Sequence, residues 1–212
     1  MLFYWTGAAW IVASTWAAAS SSNPWTFTAV PGPWSSAVTD RGGARGRDAA
    51  ANLESPGAYV AFSMDTQAAT TQITTPVQGV ARSALATISG AVGDDYSRVD
   101  GVEVAIASGP GFSTSWNGAT YVGGAEQWNG TTFVGDSSGT WTYSALSGAF
   151  TNGVECRVKT RGRDKALNTE ASFVTGTNQN TFLFDTAAPV STVTTPAPGA
   201  LVGDLPTLSG TA

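Results

Sequence analysis

A chain of 212 residues with net charge −5, 12% charged side chains, no His and one Cys lacks the tools of most function classes. Mild acidity with scattered charges argues against nucleic acid as a partner, since a polyanion needs clustered Lys and Arg. Without His there is no His-based triad, general base or metal ligand, and a lone Cys makes neither an intrachain disulfide nor a thiolate zinc site.

The opening stretch MLFYWTGAAWIVASTWAAASSS invites a signal-peptide or membrane reading. No Lys or Arg precedes it, and Thr6, Gly7, Ser14 and Thr15 interrupt it. It matches a later stretch instead: Trp5-Thr6-Gly7 corresponds to Trp116-Asn117-Gly118, Trp16 to Trp128, and Trp25-Thr26-Phe27 to Trp141-Thr142-Tyr143. The expectation is an interrupted repeat with no membrane span, any leader lying upstream.

Further along, Arg45-Gly46-Arg47-Asp48 returns as Arg161-Gly162-Arg163-Asp164, an offset of 116 residues. Asp65-Thr66, Thr74-Thr75-Pro76 and Ile88-Ser89-Gly90 return as Asp185-Thr186, Thr194-Thr195-Pro196 and Leu208-Ser209-Gly210, each at an offset of 120. A period of that size is one globular module. The expected organisation is the end of one repeat over 1–66, a complete repeat over 67–187, and the start of another over 188–212. Alignment sets Asp40 and Gly42 opposite Cys156 and Val158, so the first copy is expected to pack less well or to shift register through Arg41-Gly42-Gly43. The two partial copies together fall short of one unit and would lack a middle strand if paired between chains, so truncation is the expectation.

The complete copy alternates with period two, as strands do. Ala86, Ile88, Gly90 and Val92 form one apolar row, and Val102, Val104 and Ile106 form the clearest. Trp141, Tyr143 and Ala145 form another, then Val154, Cys156 and Val158, and finally Phe182 and Phe184. Asn117-Gly118, Gly123-Gly124, Asn129-Gly130 and Asn152-Gly153 separate the rows and supply the positive φ of tight turns. No segment carries a helical period. Seven or more short strands in about 120 residues predict an all-β, antiparallel β-sandwich.

The Pro-containing opening of each copy, the Ile88-Ser-Gly step, Trp-x-Gly, the Trp-Thr-aromatic strand and the turn Arg161-Gly-Arg-Asp-Lys-Ala-Leu-Asn168 together resemble bacterial immunoglobulin-like repeats. These occur in tandem in large surface and secreted proteins, including adhesins. Their "R-A-x-D-x-A-G-N" turn is present with Leu167 in place of Gly. The resemblance covers nearly the whole chain and implies an immunoglobulin-like sandwich in tandem, without the disulfide of antibody-type domains. It also implies an extracellular or cell-surface location, with neighbouring repeats of the same parent chain as partners.

Candidate chemistry is sparse. Asp65, Asp164, Asn168 and Asp185 sit in a turn or at copy junctions, where side-chain oxygens either bind Ca²⁺, as in cadherin-like arrays, or cap turns through the backbone. Among the eight Trp residues, Trp116 precedes a turn and is expected to be the most exposed, a candidate for stacking on a sugar, while Trp128 and Trp141 read as packing residues. Cys156 reads as a small buried hydrophobe. Asn129-Gly130-Thr131 fits a glycosylation acceptor but is first a turn signal. Asp94, Asp95, Asp100 and Glu103 offer paired carboxylates for glycoside hydrolysis, yet lie on a polar strand face without a cleft. The sequence therefore predicts a non-catalytic spacer or stalk module, related to adhesion, with a surface glycan or protein ligand as the partner class left open. The alternative is a carbohydrate-binding module attached to a secreted glycosidase.

Overall fold

The computed structural model describes residues 3–20, 24–32 and 34–212; Met1, Leu2, Ser21 and Ser22 of the apolar opening lie outside the described residues. The chain divides into two units, Met1–Gln67 and Ala68–Ala212. The period-two alternation emerges as short strands, and no α-helix forms among the described residues. No helix there is long and apolar enough to cross a membrane.

In the first unit, β1 (Tyr4–Trp5) pairs with β2 (Trp10–Ile11), and β3 (Thr39–Gly42) pairs with β4 (Val60–Ser63). Both ribbons are antiparallel. The second unit opens with β5 (Thr70–Thr75), β6 (Ile88–Gly93) and β7 (Val99–Ser108). It continues through β8 (Thr114–Trp116), β9 (Tyr121–Gly123), β10 (Asn129–Gly130), β11 (Thr132–Gly135) and β12 (Ser138–Tyr143). The long β13 (Val154–Asp164) and β14 (Gln179–Phe184) follow, then the hairpin of β15 (Thr192–Thr195) and β16 (Ser209–Thr211).

Two antiparallel sheets organise residues 68–187. One has the order β11-β12-β6-β5; the other runs β14-β13-β7-β8-β9, with β10 joined to β7. Their facing rows share a single core. Ile73, Ile88, Val92, Trp141 and Tyr143 of the first sheet pack with Val102, Val104, Ile106, Trp116, Cys156, Val158 and Phe182 of the second. This layering is compatible with a β-sandwich. Each fully buried large side chain contributes about 1.5–3 kcal/mol, so the rows read from alternation supply most of the stabilisation. Gly90 exists to make room: a Cβ there would overlap the Gln72 carbonyl oxygen and lie 2.5 Å from the Trp141 ring.

After Pro76 the chain changes sheets. Gly79 N donates to Thr181 O at 2.7 Å, Arg82 N to Leu183 O at 2.8 Å, and Asp185 N to Arg82 O at 2.9 Å, so residues 79–82 run parallel to β14. Both Thr75–Pro76 and Thr195–Pro196 are cis.

The first unit repeats these local rules without the interior. Asp40 faces Phe62 across β3–β4 as Cys156 faces Phe182 across β13–β14. The register is thus retained and only the packing is lost: β4 is exposed along its whole length, and β3 except at Asp40.

Candidate functional site

Trp116 was expected to present a free ring, and the structure corrects this. It lies on β8 facing the core with 2% of its surface exposed. Its Nε1 donates to Ala145 O at 3.0 Å, and its ring meets Tyr121 edge-on at 5.3 Å. The Asn117 side chain closes the following turn by accepting from Ala119 N and Thr120 N. The turn is exposed, but the strand before it points inward, so no ring face remains for a sugar. Trp141 is also fully buried. Burial raises the pKa of the Tyr121 phenol, whose hydroxyl donates to Ala149 O at 2.8 Å.

Of the four oxygen-bearing residues, the structure brings two together. Asp164 is fully buried at the end of β13. Its Oδ1 accepts from Asn168 N at 2.9 Å and its Oδ2 from Asn168 Nδ2 at 2.8 Å, while Asp164 N donates to Asn168 O at 3.1 Å. This closes the Asp164-to-Asn168 turn, with Leu167 held at φ 72°. Asp185 lies at the opposite end of the same sheet, since Val154 at the start of β13 pairs with Phe184. At about 3.3 Å per residue, a strand of this length separates the two carboxylates far beyond the reach of one ion. Asp185 Oδ1 instead accepts from Ala187 N at 2.9 Å. Asp65 belongs to the first unit, where its Oδ1 accepts from Gln67 N at 2.9 Å and from Ser36 Oγ at 3.2 Å.

The remaining acids of interest are engaged with cations. Arg161 Nη2 meets Glu103 at 2.7 Å, and Arg163 Nη2 meets Asp100 at 2.6 Å. Asn129, of the glycosylation pattern, donates through Nδ2 to Trp116 O at 2.9 Å. Cys156 is buried, and that burial pushes its thiol pKa up.

Two clusters escaped sequence reasoning. On the outward face of β13, Arg157, Lys159 and Arg161 alternate. Arg157 and Lys159 share Glu126, Lys159 lies over Phe173, and Arg161 lies 4.2 Å from the centre of Trp128, itself stacked on Phe173. Each cation–aromatic contact at such a site is worth about 0.5–1 kcal/mol. Together they cover Ala105 and Ala107, which are buried on the outward side of β7. The alternating cations were visible in the sequence; their aromatic partners come from distant loops. The second cluster centres on Glu170. Its carboxylate accepts from Thr71 Oγ1 at 2.7 Å, Asn178 Nδ2 at 2.8 Å and Gly162 N at 3.2 Å, fastening β5 to the loop after β13. The signal was the spacing: Glu54 follows Gly46 as Glu170 follows Gly162, and Glu54 likewise accepts from Gly46 N, at 2.7 Å.

These arrangements cap turns, tie strands and cover a sheet face. No protein-family model matches the chain, and no curated protein matches it.

Proposed function

We propose that this chain is a non-catalytic spacer, a run of tandem immunoglobulin-like modules in a large extracellular bacterial protein related to adhesion. The strand order supports the immunoglobulin-like reading. β5-β6-β12-β11 corresponds to A-B-E-D of that arrangement, and β14-β13-β7-β8 corresponds to G-F-C with an added edge strand.

One observation carries the tandem reading. The β15–β16 hairpin reproduces β5–β6 at an offset of 120 residues: Ile73 faces Gly90 as Val193 faces Gly210, and Thr75 faces Ser89 as Thr195 faces Ser209. The register shift falls at the same place in both. Gly79 and Gly199 hold positive φ in matching turns. The first unit supplies the other half of the pattern. Asp48 and Asn52 make the bonds that Asp164 and Asn168 make, and Ala51 takes the left-handed conformation of Leu167. Trp5 Nε1 donates to Ala29 O as Trp116 Nε1 donates to Ala145 O.

In this reading the junction carboxylates are turn caps rather than a Ca²⁺ cage, and each module contributes length. Neighbouring repeats are its first partners; a surface glycan or protein ligand belongs to the parent protein. Burial of Trp116 and Trp141 weighs against the alternative, a carbohydrate-binding module of a glycosidase. The test is to lengthen the chain by duplicating residues 68–187 once, twice and three times. The spacer reading expects a constant increase in maximum dimension by small-angle scattering per added copy, and an unchanged thermal midpoint. Copies that collapse on one another, or a midpoint raised by soluble polysaccharide, would overturn it.

A further inference from the structure

The spacer reading implies that tension crosses the module, entering just before β5 and leaving just after β14. We infer that the parallel pairing of residues 76–82 with β14 and its flanks is the load-bearing clamp of the unit, an inference that rests on that reading.

The direct link between entry and exit is dense. Asn180 Nδ2 donates to Pro76 O at 2.8 Å, Gly79 N to Thr181 O at 2.7 Å, Arg82 N to Leu183 O at 2.8 Å, and Asp185 N to Arg82 O at 2.9 Å. Gln78 adds a two-point bracket: its Oε1 accepts from Thr181 N at 2.8 Å and its Nε2 donates to Thr181 Oγ1 at 3.0 Å. Ile73 N extends the link by donating to Thr177 O at 2.8 Å.

Geometry decides how these bonds fail. The segments are parallel, so tension draws residues 76–82 back toward β5 and β14 forward toward Asp185. The strands must slide past one another, and the bonds share the load. Pulled from the same end, the segments would peel apart one bond at a time. Any other path from entry to exit passes through more strands in series, because β5 reaches β14 otherwise by way of β6 and β12 or across the core. Bonds intact in the folded state and broken at the barrier act wholly on the opening rate.

The test is constant-force extension of the full chain. In one arrangement it is held by its two ends; in the other, by attachment points Ser83→Cys and Ala187→Cys, at the same end of the pair. Both positions are exposed, and Cys156 is buried from the linkers. End-to-end loading is expected to give a lifetime of the 68–187 unit at least tenfold longer than peeling at the same force. Gln78→Ala, which removes two bonds each worth about 1 kcal/mol, is expected to shorten the end-to-end lifetime roughly tenfold, and to leave the peeling lifetime nearly unchanged. Equal lifetimes in the two arrangements, or equal effects of Gln78→Ala in both, would overturn the clamp. If the unit outlasts neither arrangement even at the lowest loads, the spacer reading itself falls. The comparison of the two arrangements needs no variant of the clamp, so it decides the matter even if Gln78→Ala does not fold.

Discussion

In the first unit, Asn52 N donates to Asp48 at 2.8 Å and Asn52 Nδ2 at 2.7 Å; in the second, Asn168 makes the same two bonds to Asp164 at 2.9 and 2.8 Å. Trp5 meets Trp10 at 5.5 Å as Trp116 meets Tyr121 at 5.3 Å. Arg45 stands over Trp16 as Arg161 stands over Trp128. Yet Asp164 is fully buried while Asp48 is exposed, and Trp141 is buried while its counterpart Trp25 is 55% exposed. Turn chemistry and register are decided within a few tens of residues. An interior requires the second sheet, which only the complete copy brings together.

The largest test of that difference exchanges a counterpart pair. Trp141→Ala is expected to lower the stability of the 68–187 unit by about 3–5 kcal/mol in denaturant unfolding, whereas Trp25→Ala is expected to stay within about 0.5 kcal/mol. Similar losses from both would mean that the first unit has an interior after all.

A smaller effect concerns the shared turn. Leu167 is 68% exposed at a positive φ that costs a non-glycine residue about 1–2 kcal/mol. Set against the greater unfolded-chain freedom of glycine, about 0.5–1 kcal/mol, Leu167→Gly should raise stability by about 0.5–1 kcal/mol. Ala51→Gly makes the same local change, but without a core behind the turn it should sharpen the signals of residues 46–54 without moving the midpoint of the second unit. A midpoint shift from Ala51→Gly would join the two regions energetically.

The smallest effect is in pH. The Asn52 side chain, then its backbone N–H, holds the Asp48 carboxyl below the usual aspartate range. A lowered folded value means that the turn gains from the carboxylate above the unfolded value, about pH 4. That gain is lost as pH falls through the folded value. Carboxyl titration by NMR should show Asp48 ionising below a free aspartate, with the Asn52 amide following it.

Much of this was legible in the residues, and the reason is locality. The rows Val102/Val104/Ile106 and Val154/Cys156/Val158 alternate because one face is buried, and any pattern that strict marks a sheet face. The recurrence of Arg-Gly-Arg-Asp marked the shared turn. Trp116 was misplaced because its neighbour, Asn117-Gly118, announced a surface turn, whereas burial of the ring depends on Ala145 and Tyr121 from other strands. The parallel segment after Pro76 has no alternation to read, since its bonds run through backbone atoms and the Gln78 side chain. Ala105 and Ala107 looked solvated for a related reason: their cover arrives from loops remote in the chain.

Cys156 sits wholly inside the core, and burial keeps its thiol protonated. A sulfur so sheltered meets oxidants, metals and thiol reagents without consequence while the two sheets stay together. Once they part, it is the sole reactive sulfur on the chain. The molecule thus carries its own alarm: the pace at which a thiol dye marks it counts how often the second unit comes open.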